Sequence, residues 1–301
     1  MRGFFRGPAI DWLAGLIIAY IAFAHILTQK PQPQAVRGRA PGELTPSIRR
    51  PPVLPDFIVR DNGLSKEYEM GSGTAFALDN QGRWMTARHV VDGCKRVFIA
   101  MPPAASGKVR YWLKTDNVKL PLVPARSITE DQRADLAILQ TQEVHSEAMA
   151  IEGGGAGSDV VGQQGFSIGF PGGEPGQASV KLLGYGMSVM HLGKDWVKSP
   201  NMIWAVKELH SSTGEFNGIS GGPLLNPLGK VVGVNSSASE RRGRLNTVAP
   251  ESLSLLSGEH VKNPVGGIYS PAGPIDDATY VDTADGLRKR YTIAAVYCVY
   301  R

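Results

Sequence analysis

Beyond residue 60 this chain has no surplus of charge of either sign. Of its 32 Lys and Arg and 27 Asp and Glu, eight and three lie in residues 1–60, which leaves 24 of each sign over the rest. The formal +5 therefore belongs to the N-terminal segment, where it suits a membrane-proximal role, and no basic groove for nucleic acid is expected in the body of the chain. Cysteine is scarce, with Cys94 and Cys298 alone, so the choice is between a single disulfide and a pair of free buried thiols. No internal repeat, metal-ligand spacing or phosphate loop is present, and neither a metal nor another cofactor is expected. Long apolar runs are missing too. The stretch Trp12–Leu27 is uncharged but only 16 residues long, short of the roughly 20 that a spanning helix needs.

That short run still carries information. Arg2 and Arg6 precede it, and Ala22-Phe23-Ala24 has the small-x-small pattern of a signal-peptidase site. Residues 1–28 are therefore expected to be either a cleaved signal peptide or an uncleaved signal-anchor helix lengthened by Ile10 and its neighbours. Both options export the remainder, to the periplasmic side or the exterior. Residues 29–56 contain Pro31, Pro33, Pro41, Pro46, Pro51, Pro52 and Pro55 and are expected to form an extended, semi-rigid linker.

Glycine and proline are abundant, at 36 and 21, which suits a turn-rich all-β chain better than a helical one. Gly71–Leu78 and Trp84–His89 are expected to be two strands joined by the turn Asp79-Asn80-Gln81-Gly82. Val97–Met101, Val109–Leu113, Val118–Leu122, Leu136–Leu139 and Lys230–Val234 are further strand candidates, and Gly153–Gly157 marks a connection between two halves.

Chemistry concentrates in Gly218-Ile219-Ser220-Gly221-Gly222-Pro223. A serine in so tight a glycine turn can project its hydroxyl while backbone N–H groups, those of Gly218 and Ser220, face an oxygen that becomes negative. A serine hydroxyl needs an adjacent base, and the base needs a carboxylate to set its tautomer. Among six histidines, His89 stands out at the end of a strand. Asp135, at the head of the apolar Leu136-Ala137-Ile138-Leu139, is preferred over Asp131, which lies in the polar run Thr129–Arg133. The order His, Asp, Ser and the β-type run after Pro223 exclude a serine elbow of the α/β-hydrolase kind, which needs Ser before Asp before His and a helix after the serine.

Thr86-Ala87-Arg88-His89-Val90-Val91, Asp135–Leu139 and Gly218–Leu224, in that order, resemble the chymotrypsin-like (trypsin-like) serine peptidases. The nearest branch is the bacterial HtrA/Deg one, which Gly71-Ser72-Gly73-Thr74, Val161–Pro171 and Gly229–Ser236 also resemble. The resemblance covers about residues 57–257 and implies two β-barrels, at about 57–140 and 158–250, with His89, Asp135 and Ser220 in the cleft between them. It further implies a serine endopeptidase acting on polypeptides. Gly214, Glu215 and Asn217 would approach the primary pocket, and Ser236, Ser237 and Ala238 would pair with substrate backbone. A silent relative that binds peptides as a sensor is the alternative. Residues 258–301 fall outside the resemblance. They are too short for the PDZ domain usual in that branch, and their β-prone end, Tyr291–Tyr300, is expected to add an edge strand. Ile219 departs from the family, whose members carry Asp or Asn there.

Overall fold

The computed structural model describes residues 57–58, 70–101, 111–114, 119–142, 147–152, 161–192, 195–253, 256 and 267–300. All of these fall in the compact unit Ile48–Arg301. The expected N-terminal helix, the proline linker and the Gly153–Gly157 connection lie outside the described residues. Among those described, no helix is long and apolar enough to cross a membrane.

The strands run β1 Phe57–Ile58, β2 Met70–Ala77, β3 Arg83–Ala87, β4 Arg96–Ala100, β5 Tyr111–Lys114, β6 Lys119–Asp131, β7 Leu136–Thr141, β8 Glu147–Ala148 and β9 Gln164–Gly169. They continue with β10 Gly176–Leu192, β11 Asp195–Ser211, β12 Pro223–Leu225, β13 Val231–Ser239, β14 Arg244–Val248, β15 Gly267–Ile268 and β16 Ile293–Val299. Two helices matter below, the single turn α1 Arg88–Val91 and the longer α2 Tyr280–Lys289.

Two closed barrels of six strands result. In the first the order is β4-β16-β2-β3-β7-β6, closed by β6 on β4, with β5 appended to β6. In the second it is β10-β11-β14-β13-β12-β9, closed by β9 on β10, with β1 appended to β10. This is the two-barrel, all-β architecture expected from the sequence. The β2–β3 turn falls where Asp79–Gly82 was expected to turn. Asp79 Oδ1 accepts the N–H groups of Gln81 (2.8 Å) and Arg83 (3.1 Å), so one side chain does the work of a backbone turn.

Two segments, Phe57–Ile58 and Ile293–Val299, are placed differently from expectation. The first barrel does not draw on Phe57–Ile58, which pair in parallel with Ser188 and Val189 of the second. Its sixth strand is instead β16, antiparallel to β2 from Ile293↔Phe76 to Val299↔Met70 and to β4 from Val296↔Ile99 to Val299↔Arg96. Ile293–Val299 is thus an interior strand, not an edge. The physical reason is its composition: Ile293 to Cys298 are all buried, and a run apolar on both faces suits a strand covered on both. Cys298 is disulfide-bonded to Cys94, with a Cα–Cα distance of 5.4 Å, which ties β16 to the loop after α1.

α2 caps the join. Arg288 donates to Gly176 O (2.8 Å) and Gln177 Oε1 (2.5 Å) at the start of β10 and to Asp285 (2.7 Å). Asp277, just before α2, accepts from Ser179 Oγ (2.7 Å), Gln164 Nε2 (2.6 Å) and Lys207 Nζ (2.6 Å). The C-terminal segment therefore holds both barrels.

Candidate active site

β3 and β7 are neighbours, with Ala87 opposite Leu136, so the residue after one strand and the residue before the other meet at the same barrel end. The strand expected to run to the histidine stops at Ala87, and His89 is the second residue of α1. Asp135 causes the change. Its backbone O accepts Arg88 N–H (3.0 Å), and its Oδ1 accepts His89 N–H (3.0 Å), so the residue caps the first turn of α1 from across the sheet. Asp135 adopts φ of 55°, a left-handed conformation that Asp tolerates better than most residues.

The carboxylate also faces the imidazole. His89 Nδ1 lies 2.9 Å from Asp135 Oδ2 and 3.1 Å from Oδ1. Ser236 Oγ donates to Asp135 Oδ2 at 2.6 Å. Burial alone would raise the Asp135 carboxyl. The His89 charge, the bonds from the His89 ring and Ser236 and the His89 backbone N–H outweigh it and hold the carboxyl below its ordinary range. The Asp135 side chain is 7% exposed and the His89 side chain 38%, so the pair is buried at the carboxylate and open at the ring. Asp131 does something else: its Oδ1 accepts the N–H groups of Arg133 (2.8 Å) and Ala134 (3.1 Å), shaping the turn that delivers Asp135.

Ser220 sits half-buried in the turn between β11 and β12. That turn is bonded on every side. Asn217 O accepts Gly172 N–H (2.5 Å), and Ile219 O accepts Gly222 N–H (2.9 Å). Among the described residues no peptide bond is cis, and in a trans peptide N–H and C=O point opposite ways. Gly218 N–H and Ser220 N–H therefore point away from those two partners, from the opposite edges of their peptide planes. Gly218 has φ of 98°, and a Cβ there would lie 2.6 Å from Phe170 O. Gly221 has φ of 84°, and a Cβ there would collide with Thr74 O and Thr86 Oγ1. Only glycine fits either place. Gly221 thus lies against the end of β3, two residues before α1 begins its course past His89.

The remaining expected residues divide. Ser236 is the extra residue where the β13–β14 register shifts between Asn235 and Ser237. Such a bulge re-aims a side chain, here toward Asp135. Ser237 Oγ accepts from Asn246 Nδ2 (3.0 Å), and Ala238 pairs with Leu245. Gly214, Glu215 and Asn217 lie together on the exposed side of the turn, with Asn217 Nδ2 donating to Glu215 Oε2 (3.3 Å). Sequence reasoning missed the Ser236 hydroxyl as a carboxylate partner and missed Thr74 and Thr86 altogether. Both threonines are fully buried, and a polar residue in a strand gives no sign of its burial until the fold is known. Ile219 is buried in the apolar cluster of Val180, Phe216 and Leu224, where an ionic group would lack a partner. Among the described residues no cluster of side chains has the makings of a metal site.

A family model described as the trypsin-like peptidase domain matches residues 73–234. The chain is 27% identical over 170 residues to the putative serine protease HhoA of Synechocystis, covering 56% of this chain and 37% of that protein. It is 29% identical over 221 residues to the serine protease Do-like HtrA of Bacillus subtilis, covering 69% and 44%. The chain thus spans about two fifths of the length of these relatives. Among solved structures, the HtrA-type protease AlgW with a decapeptide is 19% identical with a TM-score of 0.45, over 62% of this chain and 52% of that one. The Rv3671c protease from M. tuberculosis in its active form is 18% identical with a TM-score of 0.43, over 73% and 96%. The assignment rests on the family model and not on these structural scores. With more than half of its 301 residues matched, the chain belongs to the family of the trypsin-like peptidase domain.

Proposed function

We propose that this protein is a serine endopeptidase. The observation that carries the proposal is the pairing of His89 Nδ1 with the buried Asp135 carboxylate at 2.9 Å. A carboxylate on Nδ1 keeps the proton there and leaves Nε2 as the base. In this mechanism Ser220 Oγ bonds to the peptide carbonyl carbon as its proton passes to His89 Nε2. The carbonyl oxygen takes the negative charge between the N–H groups of Gly218 and Ser220, and the orientation of the Asn217 and Ile219 carbonyls supports that role. His89 then gives its proton to the leaving amine, and water, activated in turn by His89, releases the acyl group from Ser220. No cofactor takes part.

The substrates are polypeptides, held by strand addition along Ser236, Ser237 and Ala238 with Gly214, Glu215 and Asn217 near the primary pocket. His89, Asp135 and Ser220 are all present, which favours an enzyme over a silent peptide-binding relative. Purified parent and Ser220→Ala proteins compared on an unfolded protein substrate test the proposal. The variant should lose several orders of magnitude in turnover with its fold intact. Equal rates would overturn the assignment.

The basic start, the short apolar run and the proline tether support an exported location, by a signal anchor or a cleaved signal. A reporter that works only outside the cytoplasm, fused after Pro55, should be active. A well-expressed but inactive fusion would contradict export.

A further inference from the structure

One residue of the first barrel grips the nucleophile turn of the second at two points. The Thr74 backbone N–H donates to Ser220 O (2.8 Å), and the Thr74 hydroxyl donates to Gly218 O (2.8 Å). The direction of the second bond is set by a third. Phe170 N–H can only donate, and it occupies the acceptor side of the same hydroxyl at 3.0 Å, so the hydroxyl proton must go to Gly218 O. Thr86 Oγ1 donates to Thr74 O (2.7 Å), which fixes the Thr74 backbone from the strand that leads to His89. Thr74 has no exposed surface, so water does not compete for any of these bonds.

The grip falls where the turn needs it. With Gly218 O pinned by Thr74, the trans peptide directs Ile219 N–H the other way, to Phe216 O at 2.9 Å. The planes on either side are pinned by Gly172 N–H on Asn217 O and Gly222 N–H on Ile219 O. All three peptides around Gly218 and Ile219 are therefore fixed in one orientation. Gly218 has φ of 98° and no side chain, so nothing of its own would resist rotation of these planes. Ile219 contributes apolar packing and no polar bond from its side chain.

We propose that Thr74 is a positioning residue whose hydroxyl holds the Gly218–Ile219 peptide so that Gly218 N–H stays aimed at the developing oxyanion, keeping the turn competent at rest without an ion pair. This rests on the serine-peptidase function proposed above. Thr74 touches neither substrate nor the reacting atoms. It acts through Gly218 and ties the nucleophile turn to the strand pair that carries His89.

The test compares parent, Thr74→Val and Thr74→Ser. Valine keeps the shape of threonine but leaves Gly218 O and Phe170 N–H without their partner, whereas serine restores the hydroxyl. Losing one oxyanion donor outright costs about 10²–10³ in kcat. Weakening its aim should cost roughly 10- to 100-fold in kcat for Thr74→Val, with KM changed by less than about threefold. Thr74→Ser should recover most of the rate. A boronate peptide, whose tetrahedral adduct places an oxygen in the oxyanion site, should bind Thr74→Val weaker by the same factor as the kcat loss. The uncleavable amide analogue of the same peptide should bind both proteins alike. An inactive parent overturns the peptidase proposal itself. An active parent with Thr74→Val of equal kcat, or with both ligands weakened equally, overturns the role of Thr74. If Thr74→Val does not fold, the Thr74→Ser and Thr74→Ala pair decides: equal kcat in the two refutes the hydroxyl's role.

Discussion

Replacing Asp135 by Asn should be far more damaging than the same change at Asp131, and the structure says why. Asp135 uses both oxygens: Oδ1 takes His89 N–H, and Oδ2 takes the Ser236 hydroxyl, with His89 Nδ1–H shared between them. An amide has one acceptor oxygen. If that oxygen keeps the His89 N–H, the NH₂ group faces Nδ1 and Ser236. Nδ1 must then accept, the ring proton moves to Nε2, and the base is lost. The same exchange in this enzyme class costs about 10⁴ in kcat, so Asp135→Asn is expected to lose on the order of 10³–10⁴. Asp131 uses a single oxygen to accept from two backbone N–H groups, which an asparagine Oδ1 does equally well. Asp131→Asn should stay within about threefold of the parent. Steady-state hydrolysis of an unfolded protein or a peptide ester would measure both, with circular dichroism to confirm folding. The loss at Asp135 should fall on kcat and not on KM, because the carboxylate acts as charge develops on His89. A folded Asp135→Asn protein with parental kcat, or a crippled Asp131→Asn, would refute the reasoning.

Three further outcomes follow. Because the Asp135 carboxyl is held below its ordinary value of 3.8, its ionisation stabilises the fold above that pH, and the benefit is lost as pH falls through the lower folded value. The stability gap between parent and Asp135→Asn should narrow below about pH 4 in urea titrations, and a gap that widens would contradict the assigned bonds. Truncation after Arg290 should abolish cooperative unfolding, since it removes the strand between β2 and β4 and exposes two unpaired edges; a soluble truncated protein with an unchanged melting temperature would disprove that role. Cys94→Ala with Cys298→Ala should cost about 2–5 kcal/mol in denaturant midpoint analysis, and no loss would argue that the bridge constrains nothing.

The two-barrel class was legible in the sequence, and so was the approach of His89 to Asp135; the strand pairing was not. Gly218, Gly221 and the order of His89, Asp135 and Ser220 stood out because a turn with two left-handed positions admits few residue types. The choice of Asp135 over Asp131 came from the apolar strand behind it, the same burial that now strengthens its bonds. The role of β16 was not legible. Ile293–Val299 reads as a strand, but nothing local says which of the two barrels has a gap for it, and its partners β2 and β4 lie about 200 residues earlier. The family resemblance assigns Ser236 to substrate pairing and says nothing of its hydroxyl. The bulge that turns its hydroxyl to Asp135 depends on a register that only the folded β13–β14 pair defines. Thr74 was hidden for a similar reason: its partners at Phe170, Gly218 and Ser220 lie about 100 to 150 residues away.

Covalent labelling with a fluorophosphonate tests the central claim most directly, because the probe reacts with a serine only when base and oxyanion hole act together. Intact-mass and peptide mapping of the parent should show one adduct, on Ser220. Ser220→Ala and His89→Ala should remain unlabelled over the same time, with folds intact. An unlabelled, folded parent, or an adduct on another serine, would contradict the account.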